Sequence, residues 1–169
     1  MKIKFLVLGK TAFPDVKVGE DRYSTRLQHY CSFERVEIPD VKNPKALSQD
    51  QLKKKEGELI LAKVIPTDYL ILMDENGLHQ SSVEFAQWLD KKQMSVNGNL
   101  LFVIGGAYGF SESVYERANA KLSLSKMTFS HQMVRMIFLK QGGMIAFSGA
   151  IIGLILGFAL VWAQDQFGL

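Results

Sequence analysis

His131 and Arg135 stand four residues apart in Ser130-His-Gln-Met-Val-Arg135, a segment that Ser130 opens as a helix. Residues spaced in this way share a helix face. In the first turn the helix dipole favours a neutral imidazole, the form that can take up a proton. The planar guanidinium of Arg135 suits a phosphate or carboxylate, or an ion pair within the fold. His131 reads equally as a cap-region histidine that bonds backbone. Upstream lie two loops of small residues, Gly105-Gly-Ala-Tyr-Gly109 and Leu124-Ser-Lys-Met-Thr-Phe129. Each follows a short apolar run and leads into a helical pattern. That places both at the carboxyl edge of a sheet, where open α/β folds bind ligands.

The elements that must carry these residues alternate. β-type runs are expected at 2–9, 33–39, 68–74, 99–105 and 121–125, and Glu75-Asn-Gly77 reads as a turn. Helical patterns cover 16–30, about 44–64 with Pro44 in the first turn, 81–93 behind the capping box Ser81-Ser-Val-Glu84, and 111–119 behind Ser111. A last helix follows Ser130. Three of the strands are nearly unbroken apolar runs. The fold class is therefore α/β, with a parallel sheet covered on both faces.

The chain has 169 residues, one ordinary domain's worth. Its single cysteine, Cys31, excludes an internal disulfide and suits a reducing compartment. The Gly105–Gly109 loop is not a G-x-G-x-x-G sequence and has no acid about 20 residues on, which argues against a nicotinamide enzyme. All 20 Lys and Arg lie at or before Lys140, and of the 17 Asp and Glu only Asp165 lies beyond Gln141. The mild basic excess of the first 141 residues permits an RNA partner without demanding one. The cluster Lys53-Lys-Lys55, with Glu56 and Glu58 nearby, reads as a solvated helix face.

The strings Ile104-Gly-Gly-Ala-Tyr-Gly109 and Leu122-Ser-Leu-Ser-Lys-Met-Thr-Phe-Ser-His-Gln-Met-Val-Arg135 resemble the cofactor pocket of the RlmH family. These are SPOUT-class methyltransferases, and the resemblance runs from Met1 to about Gln141. It implies an S-adenosylmethionine pocket lined by Met73, Gly105 and the stretch Leu124, Ser125, Lys126, Met127, Thr128 and Phe129. It also implies methylation at N3 of a pseudouridine in 23S rRNA, with His131 and Arg135 as catalytic candidates. A C-terminal trefoil knot and a homodimer follow from the same resemblance, whereas a cytoplasmic location is expected from the positive-inside rule, with Arg135 and Lys140 before the apolar C-terminal segment and Asp165 after it. The residue types agree with it. Glycine lets backbone approach a ligand closely, and Met73 and Met127 can pack against a flat ring, although tight turns and plain core account for the same residues.

The sequence departs from that family after Gln141. RlmH chains continue the last helix through a Glu-Gln-x-Tyr-Arg-Ala type segment to a Tyr-His-rich tail; here the chain reads Phe138-Leu-Lys-Gln-Gly-Gly143. Residues 144–163 carry no charge and, at about 1.5 Å per residue, are long enough for a bilayer core of roughly 30 Å. Gly149, Gly153 and Gly157 form a small-residue stripe, and Trp162 sits near one end. The segment resembles a terminal span of FtsX-like or lipoprotein-releasing permeases. Two units are expected, a SPOUT domain over 1–141 and an apolar, membrane-type helix over 142–169. Methylation would be impaired by the replaced tail, and the first unit could be tethered to the inner membrane. The alternative is a membrane-tethered, non-catalytic protein that binds S-adenosylmethionine or RNA.

Overall fold

The computed structural model describes residues 1–125, 127 and 129–142. Five strands, β1 (Ile3–Leu8), β2 (Phe33–Ile38), β3 (Tyr69–His79), β4 (Leu100–Ile104) and β5 (Ala120–Ser123), form one sheet in the order β2-β1-β4-β3-β5. Every pairing is parallel. All carboxyl ends therefore lie at one edge, as the alternating pattern required. Four helices, α1 (Pro14–Gln28), α2 (Gln49–Leu61), α3 (Ser82–Ser95) and α4 (Glu112–Arg117), join the strands, and residues 131–142 form a fifth.

The unbroken apolar runs follow from burial on both faces. Phe5 and Val7 enter one core with Ile71, Phe102 and Ile104, packed by Leu27 of α1, Phe85 and Trp88 of α3, and Phe138 and Leu139 of the fifth helix. Leu6 and Leu8 point the other way, into a core with Leu70, Leu72, Leu101 and Val103 that Ile60 of α2 and Val114 of α4 cover. Successive strand residues alternate between the faces, so a strand covered twice needs apolar residues at every position.

Local chemistry sets the boundaries. Ser81 and Glu84 form the expected capping box, with each side chain bonding the other's backbone N–H. A second capping box corrects the reading of the helix from Pro44. Pro44–Ala46 is a separate 3-10 turn, and α2 starts behind Ser48, whose side chain accepts from the Gln51 N–H while Gln51 reaches back. Ser111 precedes α4 but makes no capping bond; its hydroxyl lies 3.1 Å from that of Ser113. The turn expected at 75–77 is instead a bulge within β3. Met73 and Leu78 both pair with Leu122, and the strand resumes to His79. Gly77 permits this, because a Cβ there would lie 2.6 Å from the Leu122 backbone.

The fifth helix returns from edge strand β5 to the middle of the sheet. Phe138 stacks on Phe5 and packs against Phe102, each at 4.9 Å between ring centroids. One turn earlier, Arg135 is 1% exposed. Its guanidinium donates to the Gly9 carbonyl at 3.1 Å, to Thr11 Oγ1 at 3.3 Å and to the Leu8 carbonyl. It thus binds the helix to the carboxyl end of β1. Gly9 has a φ of +71°, which glycine alone adopts without strain, and this turns its carbonyl into the bond.

Among the described residues no helix is long and apolar enough to cross a membrane. The span expected at 144–163, and with it the 142–169 unit beyond Gly142, lies outside them.

Arg135→Ala should remove the donors of two buried carbonyls and leave a void. The expected loss is about 3 kcal/mol of unfolding free energy, measured by urea denaturation with the midpoint falling and the slope unchanged.

Candidate functional site

Three loops converge at the carboxyl edge. The end of β3 supplies Met73 to Asn76, the turn after β4 supplies Ile104 to Phe110, and the segment after β5 supplies Leu122 to Ser125. With Met127, Phe129, Ser130, His131 and Val134 they enclose a cavity of about 630 Å³. The parallel register explains the meeting, since Met73 lies opposite Ile104 on one side and Leu122 on the other. Met73, Gly105, Leu124, Ser125, Met127, Phe129 and His131 are therefore brought together. Lys126 and Thr128 lie outside the described residues.

The loop after β4 owes its shape to two glycines. Gly109 has a φ of +79° and donates to the Gly106 carbonyl at 3.2 Å, closing a tight turn. A Cβ on Gly105 would lie 3.1 Å from the Phe110 ring. The missing side chain at Gly105 thus makes room for the loop's own aromatic, and Gly105 still lines the cavity. The loop after β5 is held by serines. Ser123 Oγ donates to the Ser125 carbonyl at 2.9 Å, and Ser125 Oγ accepts from the Met127 N–H at 2.9 Å. Met127 is left 71% exposed at the cavity wall, which sets it apart from a core methionine.

His131 begins the fifth helix at the cavity, and the preceding Ser130 accepts from the Met133 N–H at 3.3 Å, as its position predicted. Burial holds the imidazole below its ordinary pKa. The nearby Arg135 charge acts in the same direction, and Asp40 opposes both. The side chain is therefore neutral at neutral pH. Arg135 is not among the residues that line the cavity, and of the two readings of its guanidinium its described contacts are those of a group bonded within the fold. Its donors go to the β1 carbonyls, and desolvation is the chief influence on the guanidinium. It stays charged nonetheless, since arginine does not deprotonate in proteins.

Two cavity residues escaped the sequence reading. Asp74, directly after Met73, accepts from the Asn76 N–H at 2.8 Å and from the Tyr115 hydroxyl at 2.5 Å. Tyr115, on α4, has its phenol pKa pushed up to about 12 by burial and by the Asp74 carboxylate. An acid ending an apolar strand was a usable signal for Asp74. Nothing local marked Tyr115, which lies 41 residues away. Elsewhere, Cys31 is free and its thiol is pushed up by burial, as for a small core residue. Among the described residues no group of His, Cys, Asp or Glu could hold a metal ion.

The family described as "Predicted SPOUT methyltransferase" matches residues 1–141. The chain belongs to that family. Its similarity to individual members is high. It is 52% identical over 141 residues to ribosomal RNA large subunit methyltransferase H of Parabacteroides distasonis, and 53% identical over 141 residues to the proteins of that name from Cytophaga hutchinsonii and Flavobacterium johnsoniae. Each comparison covers 83% of this chain and 90% of the relative. A probable methyltransferase from Bordetella pertussis Tohama I shares the fold, with a TM-score of 0.50 at 11% identity over 86% of this chain and 94% of that one. As a SPOUT methyltransferase, the chain places the RlmH-like strings named above around one hollow.

His131 should titrate below the ordinary 6.5 in the folded protein, by NMR of the imidazole protons. A depressed folded value means that the unfolded chain binds the extra proton first. The stability tied to this group is therefore complete above about pH 6.5 and is lost as pH falls through the folded value.

Proposed function

We propose that this SPOUT methyltransferase methylates N3 of a pseudouridine in 23S rRNA of the large ribosomal subunit. The observation that carries the reading is the single cavity formed by Met73, Gly105, Leu124, Ser125, Met127 and Phe129 with His131 at its edge. The names of the relatives support ribosomal RNA of the large subunit as the substrate.

S-adenosylmethionine is the methyl donor. Its fit can be judged from the walls. The cavity lies within the roughly 300–1,000 Å³ usual for such ligands. Met73, Ile104, Leu122, Leu124 and Val134 give it apolar surface, while Ser123, Ser125 and Asp74 give it polar edges. The donor supplies an activated methyl group, whose bond to a sulfonium breaks with the electron pair going to sulfur as a new bond to the acceptor forms. The protein's tasks are alignment and proton removal. Met73 and the 124–129 loop would hold the adenosine part. His131, neutral and at the cavity edge, would accept the proton of the acceptor nitrogen at a ring nitrogen. Arg135 would act at one remove, by holding the helix that carries His131.

A trefoil knot and a homodimer belong to the same proposal. The return of the fifth helix from β5 across the sheet to β1 is the feature that favours the knot. The unit boundaries, 1–141 and 142–169, are proposed on the extent of the family match and the change of composition after Gln141. A tether to the inner membrane through 144–163 is proposed on that composition alone.

The test is methylation of ribosomes from cells that lack this modification, with labelled donor and mass spectrometry of the 23S rRNA digest. N3-methylpseudouridine is expected, at a rate at least tenfold below that of a relative with a Tyr-His tail. Label on another nucleotide, or none although the donor binds, would overturn the specificity. Full activity would remove the claim that the tail matters.

A further inference from the structure

We infer that Asp74, aimed by Tyr115, is the wall charge by which this site distinguishes the charged methyl donor from its neutral product. The inference rests on the proposed function and concerns a pair that the sequence reading did not single out.

Asp74 sits where β3 leaves its pairing with β4, at the start of the bulge. Both of its oxygens are oriented. Oδ1 accepts from the Asn76 N–H at 2.8 Å and Oδ2 from the Tyr115 hydroxyl at 2.5 Å. Tyr115 is itself fixed, edge-on to Phe110 at 5.8 Å between centroids, and Phe110 packs under Gly105. The chain of contacts therefore runs from the β4 turn through two aromatics to one carboxylate. The direction of such a hydrogen-bonded carboxylate is set before any ligand arrives.

None of the described residues that line the cavity is a cationic partner for this carboxylate. Among the described lining residues Asp74 and Glu75 are acidic, His131 is neutral, and none is lysine or arginine. Lys121, whose ammonium lies 5.6 Å from the Tyr115 ring centroid, lines a neighbouring hollow that Asp74 and Tyr115 also border, and it makes no ion pair with Asp74 among the described residues. An oriented carboxylate, with a second acid beside it and no cation among the described lining residues, suits a cationic ligand. S-adenosylmethionine and S-adenosylhomocysteine share adenine, ribose, amino and carboxylate groups and differ in the sulfonium methyl. Only the first carries the extra positive charge, and the transfer removes it. A fixed carboxylate within a few ångströms would hold the donor and loosen its hold on the product. At an effective dielectric of about 20 the difference reaches a factor of ten or more. An uncharged wall would bind both by their shared groups and leave the product as a tight inhibitor.

Calorimetric titration of the full chain with each ligand tests this, using the parent, Asp74→Asn and Tyr115→Phe. Asp74→Asn keeps the size and an acceptor for Tyr115 but removes the charge. The parent is expected to prefer the donor. Asp74→Asn should weaken donor binding about tenfold and product binding less than twofold. Tyr115→Phe should shift the ratio the same way by a smaller factor, since the carboxylate remains but loses its aim. Equal weakening of both ligands would overturn the inference and assign Asp74 to a shared group or to the fold, as would no change in either. Failure of the parent to bind either ligand would instead overturn the proposed cofactor.

Discussion

The guanidinium of Arg135 under the end of β1 is the contact on which the site depends. The strands pair, and the core under α2 and α4 packs, without any residue of the fifth helix. What brings residues 131–142 there is a buried fork that meets the Leu8 and Gly9 carbonyls, together with Phe138 stacked on Phe5 and Phe102. A buried charge without hydrogen bonds is costly, so Arg135 tolerates few other positions. Its placement sets His131 one turn back, against the cavity.

Around that anchor the cavity is made by backbone geometry more than by special side chains. The parallel register puts Met73, Ile104 and Leu122 side by side. Beyond them each strand must end, and each ends differently: β3 in a bulge that Gly77 permits, β4 in a turn that Gly109 permits, β5 in a loop that serine hydroxyls bond together. A flat-ringed ligand needs this mixture of apolar wall and accessible main chain. Asp74, an oriented acid on this wall, is held by Tyr115 of α4.

Several readings transferred intact from sequence to structure because their causes are local. The capping box at Ser81 and Glu84 involves four consecutive residues, and the cap at Ser130 involves the N–H three residues on. The doubled apolar runs needed only the rule that successive strand residues face opposite ways. The misjudged points were contests between local signals. Pro44 suits a first turn, but Ser48 with Gln51 makes two capping bonds and takes the start of α2. Glu75-Asn-Gly77 looks like a turn, but β5 offers further pairing and β3 continues past it.

The sequence by itself determined the α/β alternation, the layering, the family and the loops that form the cavity, because periodicity, caps and a long shared string are all written along the chain. Only the tertiary structure decided that His131 faces the cavity while Arg135 turns to β1, that Phe110 takes the space beside Gly105, and that Tyr115 aims Asp74. Those choices depend on which distant groups need a partner once buried: two strand-end carbonyls, an aromatic edge and a carboxylate. Spacing along a helix or a loop carries no record of them.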